Sequence, residues 1–218
     1  MPEAFADRLR AEGAEVVRAG ANYEDSMQAA EQAARSEGLE LLSDSSWPGY
    51  MARPLVLMEG YLVLLAEAAE QIARPPTHVF LQAGVGGLAG AAAAFIRATW
   101  GPEPRVIVVE PAAAPALFAS IRAGAPVVAP GPESIMGRLD CKQPSLIALK
   151  GLARDADDFV TITEAEAEAG TARAAGWNLA STPSGAAGIS ALLAARPGTL
   201  GLGPRARVLT ILTEAPVA

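Results

Sequence analysis

The clearest structural signal in the sequence is His78-Val79-Phe80-Leu81-Gln82-Ala83-Gly84-Val85-Gly86-Gly87-Leu88-Ala89. A short apolar run leads directly into a cluster of glycines, and an alanine-rich segment follows it. We therefore predict a strand over His78–Gln82, a glycine turn over Gly84–Gly87 and a helix over Leu88–Trp100.

Two interpretations fit this glycine turn. Glycines permit positive φ and close backbone approach, so several N–H groups can converge on one anion at the start of the following helix. The alternative is a tight strand-to-helix turn whose glycines serve packing alone. No Gly-Lys-Ser or Gly-Lys-Thr follows, which excludes a Walker A loop, and Gly84, Gly86 and Gly90 only loosely imitate the dinucleotide spacing.

Outward from this stretch, apolar runs alternate with helical patterns. Strands separated by helices of ten or more residues indicate a parallel sheet, so the predicted class is α/β with helices on both faces. The predicted strands are Glu15–Arg18, His78–Gln82, Arg105–Glu110, Phe159–Ile162 and Val208–Leu212. The predicted helices are Phe5–Glu12, a helix capped by Asn22 and running through Ser36, Leu55–Ala73, Leu88–Trp100, Ala114–Ala123, Ser145–Leu152, Glu164–Ala175 capped by Thr163, and Ser184–Ala195.

Composition narrows the function classes. The 218 residues carry a net charge of −7 with a pI near 4.8, which argues against binding to nucleic acid or to an anionic membrane surface. No apolar run reaches the roughly 20 residues that a membrane span needs. The single Cys141 excludes an internal disulfide, and no cluster of ligands suggests a metal site. We expect a cytoplasmic protein.

The opening of the chain is unusual, because its first helix–strand unit has no preceding strand to pair with. A sheet built from these strands alone would be small and would leave apolar surface exposed. The sequence therefore has the pattern of the later part of a larger α/β protein, with a short complete domain as the alternative.

Seven segments together resemble the diaminopropionate ammonia-lyase family, which has the fold-type II pyridoxal-phosphate architecture. They occur in family order and are Gly13–Val16, Asn22–Ser26, Ser43–Tyr50, Pro76–Gly87, Ile135–Cys141, Ser184–Ala186 and Leu212–Glu214. The resemblance implies a tryptophan synthase beta-like fold, truncated at its N-terminus, and pyridoxal 5'-phosphate as cofactor. It also implies that residues 1–50 are the remainder of a small mobile domain and residues 51–218 part of a large cofactor-binding domain.

The resemblance also assigns site residues. Asp44 matches an aspartate that the family uses as an acid/base near the substrate, and a loop shared with Trp47 and Tyr50 favours the partial desolvation that such a role needs. A capping or turn aspartate is the alternative. Thr213 would hydrogen-bond the pyridine nitrogen, unless it is an ordinary strand residue. The backbone cup for the phosphate would consist of Gly84, Val85, Gly86, Gly87 and Leu88.

The chain also departs from the family pattern. The family carries its Schiff-base lysine in an N-terminal segment and a second aspartate in an Asp-Gly-Asn-His segment, and nothing here matches either. The chain has two lysines, Lys142 and Lys150, and we expect both to be solvated surface residues. Residues 182–186 lack a glutamate that related sequences often place there.

The resemblance implies an ammonia-lyase that converts 2,3-diaminopropionate, or a similar small amino acid, to pyruvate and ammonia. Because the matching lysine is missing, this chain alone should not turn over efficiently. Three hypotheses stay open: a C-terminal fragment of a lyase, one subunit completed by an N-terminal chain, or a non-catalytic remnant that binds a phosphate ligand. Helix Leu55–Ala73 is a candidate homodimer face, with core burial as the alternative.

Overall fold

The computed structural model describes residues 3–21, 23–196 and 198–216. Within them, a single parallel sheet has the strand order β3-β2-β1-β4. The strands are β1 His78–Gln82, β2 Arg105–Pro111, β3 Asp158–Ile162 and β4 Val208–Thr210. The helices are α1 Glu3–Ala11, α2 Tyr23–Glu37, α3 Ala52–Gly60, α4 Leu62–Gln71, α5 Gly87–Trp100, α6 Ala116–Ala123, α7 Leu146–Asp155, α8 Glu164–Gly176 and α9 Ala187–Ala194.

Strand β1 lies inside the sheet, and all five of its residues are buried. His78 is in register with Arg105 of β2 on one side and with Val208 of β4 on the other. An apolar run of this kind suits a parallel strand that is covered on both faces. The prediction of a parallel sheet is confirmed.

The core consists of two apolar clusters, one on each face of the sheet. Successive strand residues point to opposite faces, so Val79 and Leu81 belong to one cluster and Phe80 to the other. Helices α4, α5, α6 and α7 cover the first face, and α8 and α9 cover the second. The prediction of helices on both faces is confirmed.

Two of the predicted strands are wrong in whole or in part. Residues 15–18 form no strand, since no described strand pairs with them and Val17 is 73% exposed. Strand β4 ends at Thr210 rather than Leu212, because it pairs only with the first three residues of β1. Beyond that point Nε2 of Gln82 donates a hydrogen bond to the Ile211 carbonyl, in place of a backbone N–H from a neighbouring strand.

The helix predicted over residues 55–73 is two helices. Its break is at Tyr61, whose N–H donates to the Met58 carbonyl three residues back and tightens the turn between α3 and α4. The helix over residues 184–195 also starts later, at Ala187. Asn22, the predicted cap of α2, lies outside the described residues. Thr163 caps α8 as predicted, in a capping box with Glu166.

Helices α3 and α4 also present apolar side chains to solvent. Leu55, Val56 and Val63 are 47%, 66% and 62% exposed, whereas Leu65 on the opposite side of α4 is fully buried. These exposed side chains belong to helices, so they do not test the expectation of an exposed apolar edge or face of the sheet. Within the described part of the chain, no helix combines the length and apolarity that a membrane span requires.

Candidate functional site

The glycine turn follows β1 at the carboxyl end of the sheet and opens α5. Gly86 is the residue before the helix and has φ +98. Within the described residues, no hydrogen bond takes up the amide N–H groups of Gly84, Gly86, Gly87 and Leu88. The backbone of Val85 instead hydrogen-bonds the Cys141 thiol. The unengaged amides at the start of a 14-residue helix form a backbone site suited to an anion.

Two of the glycines are also required for packing. A Cβ at Gly86 would lie 3.0 Å from Leu117 and 3.1 Å from Ala148, in addition to the strain of its positive φ. A Cβ at Gly84 would lie 3.0 Å from the Arg138 carbonyl oxygen. The packing and anion-binding interpretations of the turn are therefore compatible, since one concerns the Cα positions and the other the amides.

Gly87 differs from these two glycines. Its added Cβ would have its nearest neighbours at 3.8 Å, among them the Asp44 carbonyl oxygen and the Tyr61 ring. Its φ lies outside the positive range, so a side chain fits there without backbone strain. Position 87 is thus the point where a side chain can be added to the cup without disturbing the core.

A cavity of about 250 Å³ lies against this turn. All seven predicted site residues line it: Asp44, Gly84, Val85, Gly86, Gly87, Leu88 and Thr213. Side chains without a predicted role complete the wall, among them Tyr23, Tyr61, Gln82, Arg138 and Cys141. The structure therefore brings together residues that are 169 positions apart in sequence, from 44 to 213.

Asp44 has surroundings other than those expected. The residue is exposed rather than partly desolvated, and its Oδ1 accepts a hydrogen bond from the Tyr23 hydroxyl at 3.0 Å. Trp47 and Tyr50 stack on each other with ring centroids 4.4 Å apart, and the Tyr50 hydroxyl donates to the Leu41 carbonyl. The predicted environment of Asp44 is wrong, because Tyr50 holds the loop backbone and Tyr23 is the partner of the carboxylate.

The two tyrosines of the cavity stay protonated. Burial raises the pKa of Tyr23, and the negative charge of Asp44 raises it further. Burial also raises the pKa of Tyr61, with the same contribution from Asp44. Both phenols therefore face the cavity as neutral hydroxyl groups at ordinary pH.

Thr213 lies beyond the end of β4, and its hydroxyl oxygen is 3.3 Å from Nε2 of Gln82. Gln82 is 4% exposed and ends β1. Gln82 and His78 are the two polar residues of this buried strand, and the polar residue just before the glycine turn is a signal in the sequence to which we assigned no role. Tyr23 carried no such signal, because its contact with Asp44 depends on tertiary structure.

The two lysines differ from each other. Lys150 is exposed, as expected. Lys142 is not a solvated surface residue, since its side chain is only 17% exposed. Its Nζ donates to the carbonyls of Ala113 at 3.0 Å and Pro132 at 2.8 Å and pairs with the Asp140 carboxylate. This ammonium group is fully engaged in joining three loop segments.

Cys141 is buried, as expected of a small apolar residue. Burial raises the pKa of its thiol to about 12, and the negative charges of Asp44, Glu24 and Asp140 contribute in the same direction. The thiol is therefore neutral and a weak nucleophile at ordinary pH. Among the described residues, no group of His, Cys, Asp and Glu side chains could hold a metal ion.

The structure is thus an open parallel α/β sheet whose carboxyl edge carries glycine-turn amides that no described residue engages, and folds of this class place their ligand sites at that edge. The family model for pyridoxal-phosphate-dependent enzymes matches residues 1–214, and the chain belongs to this family. The prediction of pyridoxal phosphate as cofactor is confirmed by this membership.

The chain is similar to diaminopropionate ammonia-lyase from Salmonella typhimurium, with 35% identity over 173 residues that cover 76% of this chain and 43% of that protein. It is also similar to the crystal structure of the Escherichia coli diaminopropionate ammonia-lyase in complex with an aminoacrylate–PLP azomethine reaction intermediate. That match has a TM-score of 0.90 and 31% identity and covers 99% of this chain and 60% of the other. Maize serine racemase shares the fold, with a TM-score of 0.82 at 17% identity. The predicted resemblance and fold type are confirmed, and the chain spans less than half the length of the curated relative.

Proposed function

We propose that this chain is the cofactor-holding part of an ammonia-lyase that acts on a small amino acid such as 2,3-diaminopropionate. The observation that carries the proposal is the cup of unengaged amides at Gly84 and Gly86–Leu88, which shares one cavity with Asp44 and Thr213. The similarity to diaminopropionate ammonia-lyases supports the choice of reaction. We keep the division near residue 50 into a small and a large domain as part of this proposal.

The described residues fit pyridoxal phosphate. The free amides and the N-terminus of α5 suit its phosphate, and the Thr213 hydroxyl suits its ring nitrogen. When bound, the cofactor supplies an electron sink for carbanion chemistry, while the protein orients the reacting groups and handles protons.

The proton-handling group in this proposal is Asp44, together with Tyr23. The Tyr23 hydroxyl donates to Oδ1 of Asp44 and so fixes the direction of the carboxylate at the cavity wall. The second carboxylate oxygen, Oδ2, is then available to accept or return a proton on an amino-acid ligand. Tyr61 adds a second neutral hydroxyl on the same wall.

Position 87 gives the test. In Gly87→Asp, the new Cβ is in ordinary van der Waals contact with its neighbours, and a carboxylate beside the cup repels the phosphate, so affinity for pyridoxamine 5'-phosphate should fall by about hundredfold or more. Binding is measured from the fluorescence of Trp47, Trp100 and Trp177. Gly87→Asn, of nearly the same shape but uncharged, is the matched control and should lose much less. Equal affinities for the two variants would remove the cup from the proposal.

A lysine from a segment outside the matched motifs is a further part of the proposal. Lys142 is engaged and Lys150 lies outside the cavity lining, so neither is placed to hold the cofactor covalently. The test adds pyridoxal phosphate to the chain, reduces with borohydride and locates any adduct by mass spectrometry. We expect no stoichiometric adduct on either lysine, and stoichiometric labelling of one of them would contradict this.

A turnover assay separates the three hypotheses. Turnover after addition of a lysine-bearing N-terminal segment would favour a fragment or a two-chain enzyme. Binding of the cofactor without turnover in any such mixture would favour a non-catalytic remnant.

A cytoplasmic location and a homodimer remain proposals, the second supported by the exposed apolar side chains of α3 and α4.

A further inference from the structure

Gln82 holds an unusual position for a polar side chain. It is the last residue of β1 and 4% exposed, and Ala83 separates it from the glycine turn. Buried amide side chains remain in a core only when their hydrogen bonds are satisfied. The atoms around Gln82 therefore indicate what its amide does.

The surroundings of Gln82 fix which of its terminal atoms is the nitrogen. Nε2 lies 3.1 Å from the carbonyl oxygen of Gly185 and 2.8 Å from that of Ile211. Carbonyl oxygens only accept hydrogen bonds, so the atom facing them must be the NH₂ group. A flipped amide would place Oε1 against two carbonyl oxygens and is excluded on electrostatic grounds.

The third neighbour of Nε2 is the hydroxyl oxygen of Thr213, at 3.3 Å. Nε2 has no lone pair to offer, so Thr213 cannot donate to it. Two N–H groups face three acceptors, and the threonine oxygen, the most distant of them, accepts a hydrogen that it shares with one of the two carbonyls. The threonine keeps its own hydroxyl proton. Thr213 lines the cavity, so that proton is available to an acceptor inside it.

We propose that Gln82 is a positioning residue that fixes the polarity of the Thr213 hydroxyl, so that Thr213 donates its proton to an unprotonated acceptor nitrogen in the cavity. This inference rests on the proposed function, in which the acceptor is the pyridine nitrogen of the cofactor. Gln82 itself touches no reacting atom in it. Its effect is to bias the ring nitrogen toward the neutral form.

The test uses the complete chain with pyridoxamine 5'-phosphate labelled with ¹⁵N in the ring. The ring nitrogen shift in NMR reports its protonation as pH is raised. In Gln82→Leu the threonine hydroxyl can rotate and offer a lone pair, so the protonation constant of the bound ring nitrogen should rise by about tenfold. Thr213→Val removes the hydroxyl and should produce a rise of similar size.

A double-mutant cycle shows whether Gln82 acts through Thr213. In the Thr213→Val background, adding Gln82→Leu should leave the protonation constant unchanged. If Gln82 had only a structural role, its replacement would lower stability and affinity, but the change in the protonation constant would not depend on Thr213. Gln82→Met, similar in length and unable to donate, gives the same comparison if the leucine variant does not fold.

An unchanged protonation constant in both Gln82 variants would overturn the inference, as would an equal shift with and without Thr213. Failure of the wild-type chain to bind pyridoxamine 5'-phosphate would overturn the proposed function and this inference with it. If Gly87→Asp loses affinity as expected but the Gln82 variants leave the protonation constant unchanged, the inference alone is overturned.

Discussion

Residues 3–73 and residues 78–194 both contribute to the cavity, but they are built differently. The later region contains most of both apolar clusters and supplies the glycine turn. The earlier region supplies Tyr23, Asp44 and Tyr61, yet its helices bury little: Ala6 in α1, Pro54 and Met58 in α3, and Leu65 in α4. Helix α2, whose residues are all described, has no buried residue.

The two regions therefore contribute different kinds of group to the cavity. The amides that would hold a phosphate belong to a region whose positions are fixed by core packing. The groups that would handle protons belong to a region held by a few polar contacts, such as the Glu24 carboxylate on the Lys142 amide at 2.8 Å. Regions with few buried apolar contacts open at lower free energy than a core does.

The largest expected contrast is between apolar truncations in the two regions. Ile107→Ala removes a fully buried side chain from β2 and should lower the free energy of unfolding by about 2–5 kcal/mol. Leu39→Ala, at a residue 59% exposed, should change it by less than about 0.5 kcal/mol. Urea denaturation measures both. Similar losses of unfolding free energy in the two variants would contradict the difference in packing between the two regions.

The glycine turn gives a contrast within the later region. Gly86→Ala should cost about 3 kcal/mol, because the new Cβ meets Leu117 and Ala148 and sits at positive φ. Gly151→Ala in α7 meets no atom within 4 Å and should stabilise by up to about 1 kcal/mol. Thermal and urea unfolding of both variants measure the difference. A tolerated alanine at 86 would mean that the turn is not set by packing.

A pH effect should arise from Glu110, a fully buried carboxyl group in the later region. Its oxygens accept the amide N–H groups of Leu117 and Phe118, both at 2.7 Å, at the start of α6. Burial raises its pKa from 4.5 to about 7, against the effect of these two hydrogen bonds. The folded chain therefore binds the proton more tightly than the unfolded chain.

The direction of the pH effect on stability follows from this difference in proton affinity between the folded and unfolded chain. The stabilisation is full below about pH 4.5 and is lost as pH rises through about 7, by at most roughly 3 kcal/mol. Comparing unfolding free energies of wild type and Glu110→Gln across this range isolates the group. The advantage of the wild type over the variant should shrink as pH rises, and a constant difference would contradict the prediction.

Local pattern predicted the later region well. The bounds of β1 agree with the prediction and those of α5 and β2 agree within a residue, because continuous apolar runs, a glycine turn and an alanine-rich segment are local signals. The earlier region was harder. A strand over residues 15–18 needs a partner that no described residue provides, and the break at Tyr61 depends on a backbone turn that helical periodicity does not reveal.

The site divides in the same way. The glycine turn was predicted from local spacing, but its assignment as a phosphate cup came from family resemblance and stays a prediction. The bond between Tyr23 and Asp44 and that between Gln82 and Thr213 join residues 21 and 131 positions apart. Contacts at such separations depend on the fold and carry no local signal. Family resemblance predicted that Asp44 and Thr213 are site residues. The residues next to them in sequence did not predict their hydrogen-bond partners, Tyr23 and Gln82.

The smallest expected effect concerns the contact that joins the two regions near Asp44. The Ser46 hydroxyl lies 2.7 Å from that of Ser145, both residues are buried, and Ser46 Oγ also accepts the Ile147 amide at 2.9 Å. Ser46→Ala leaves that part-buried amide and the buried Ser145 hydroxyl with fewer partners and should cost about 1–2 kcal/mol. Ser45→Ala is the matched control, since no hydrogen bond within the described residues involves its Oγ. Hydrogen exchange should show faster opening of residues 43–50 in the first variant only. Equal exchange in both would mean that the Ser46 hydroxyl does not hold the Asp44 loop against the core.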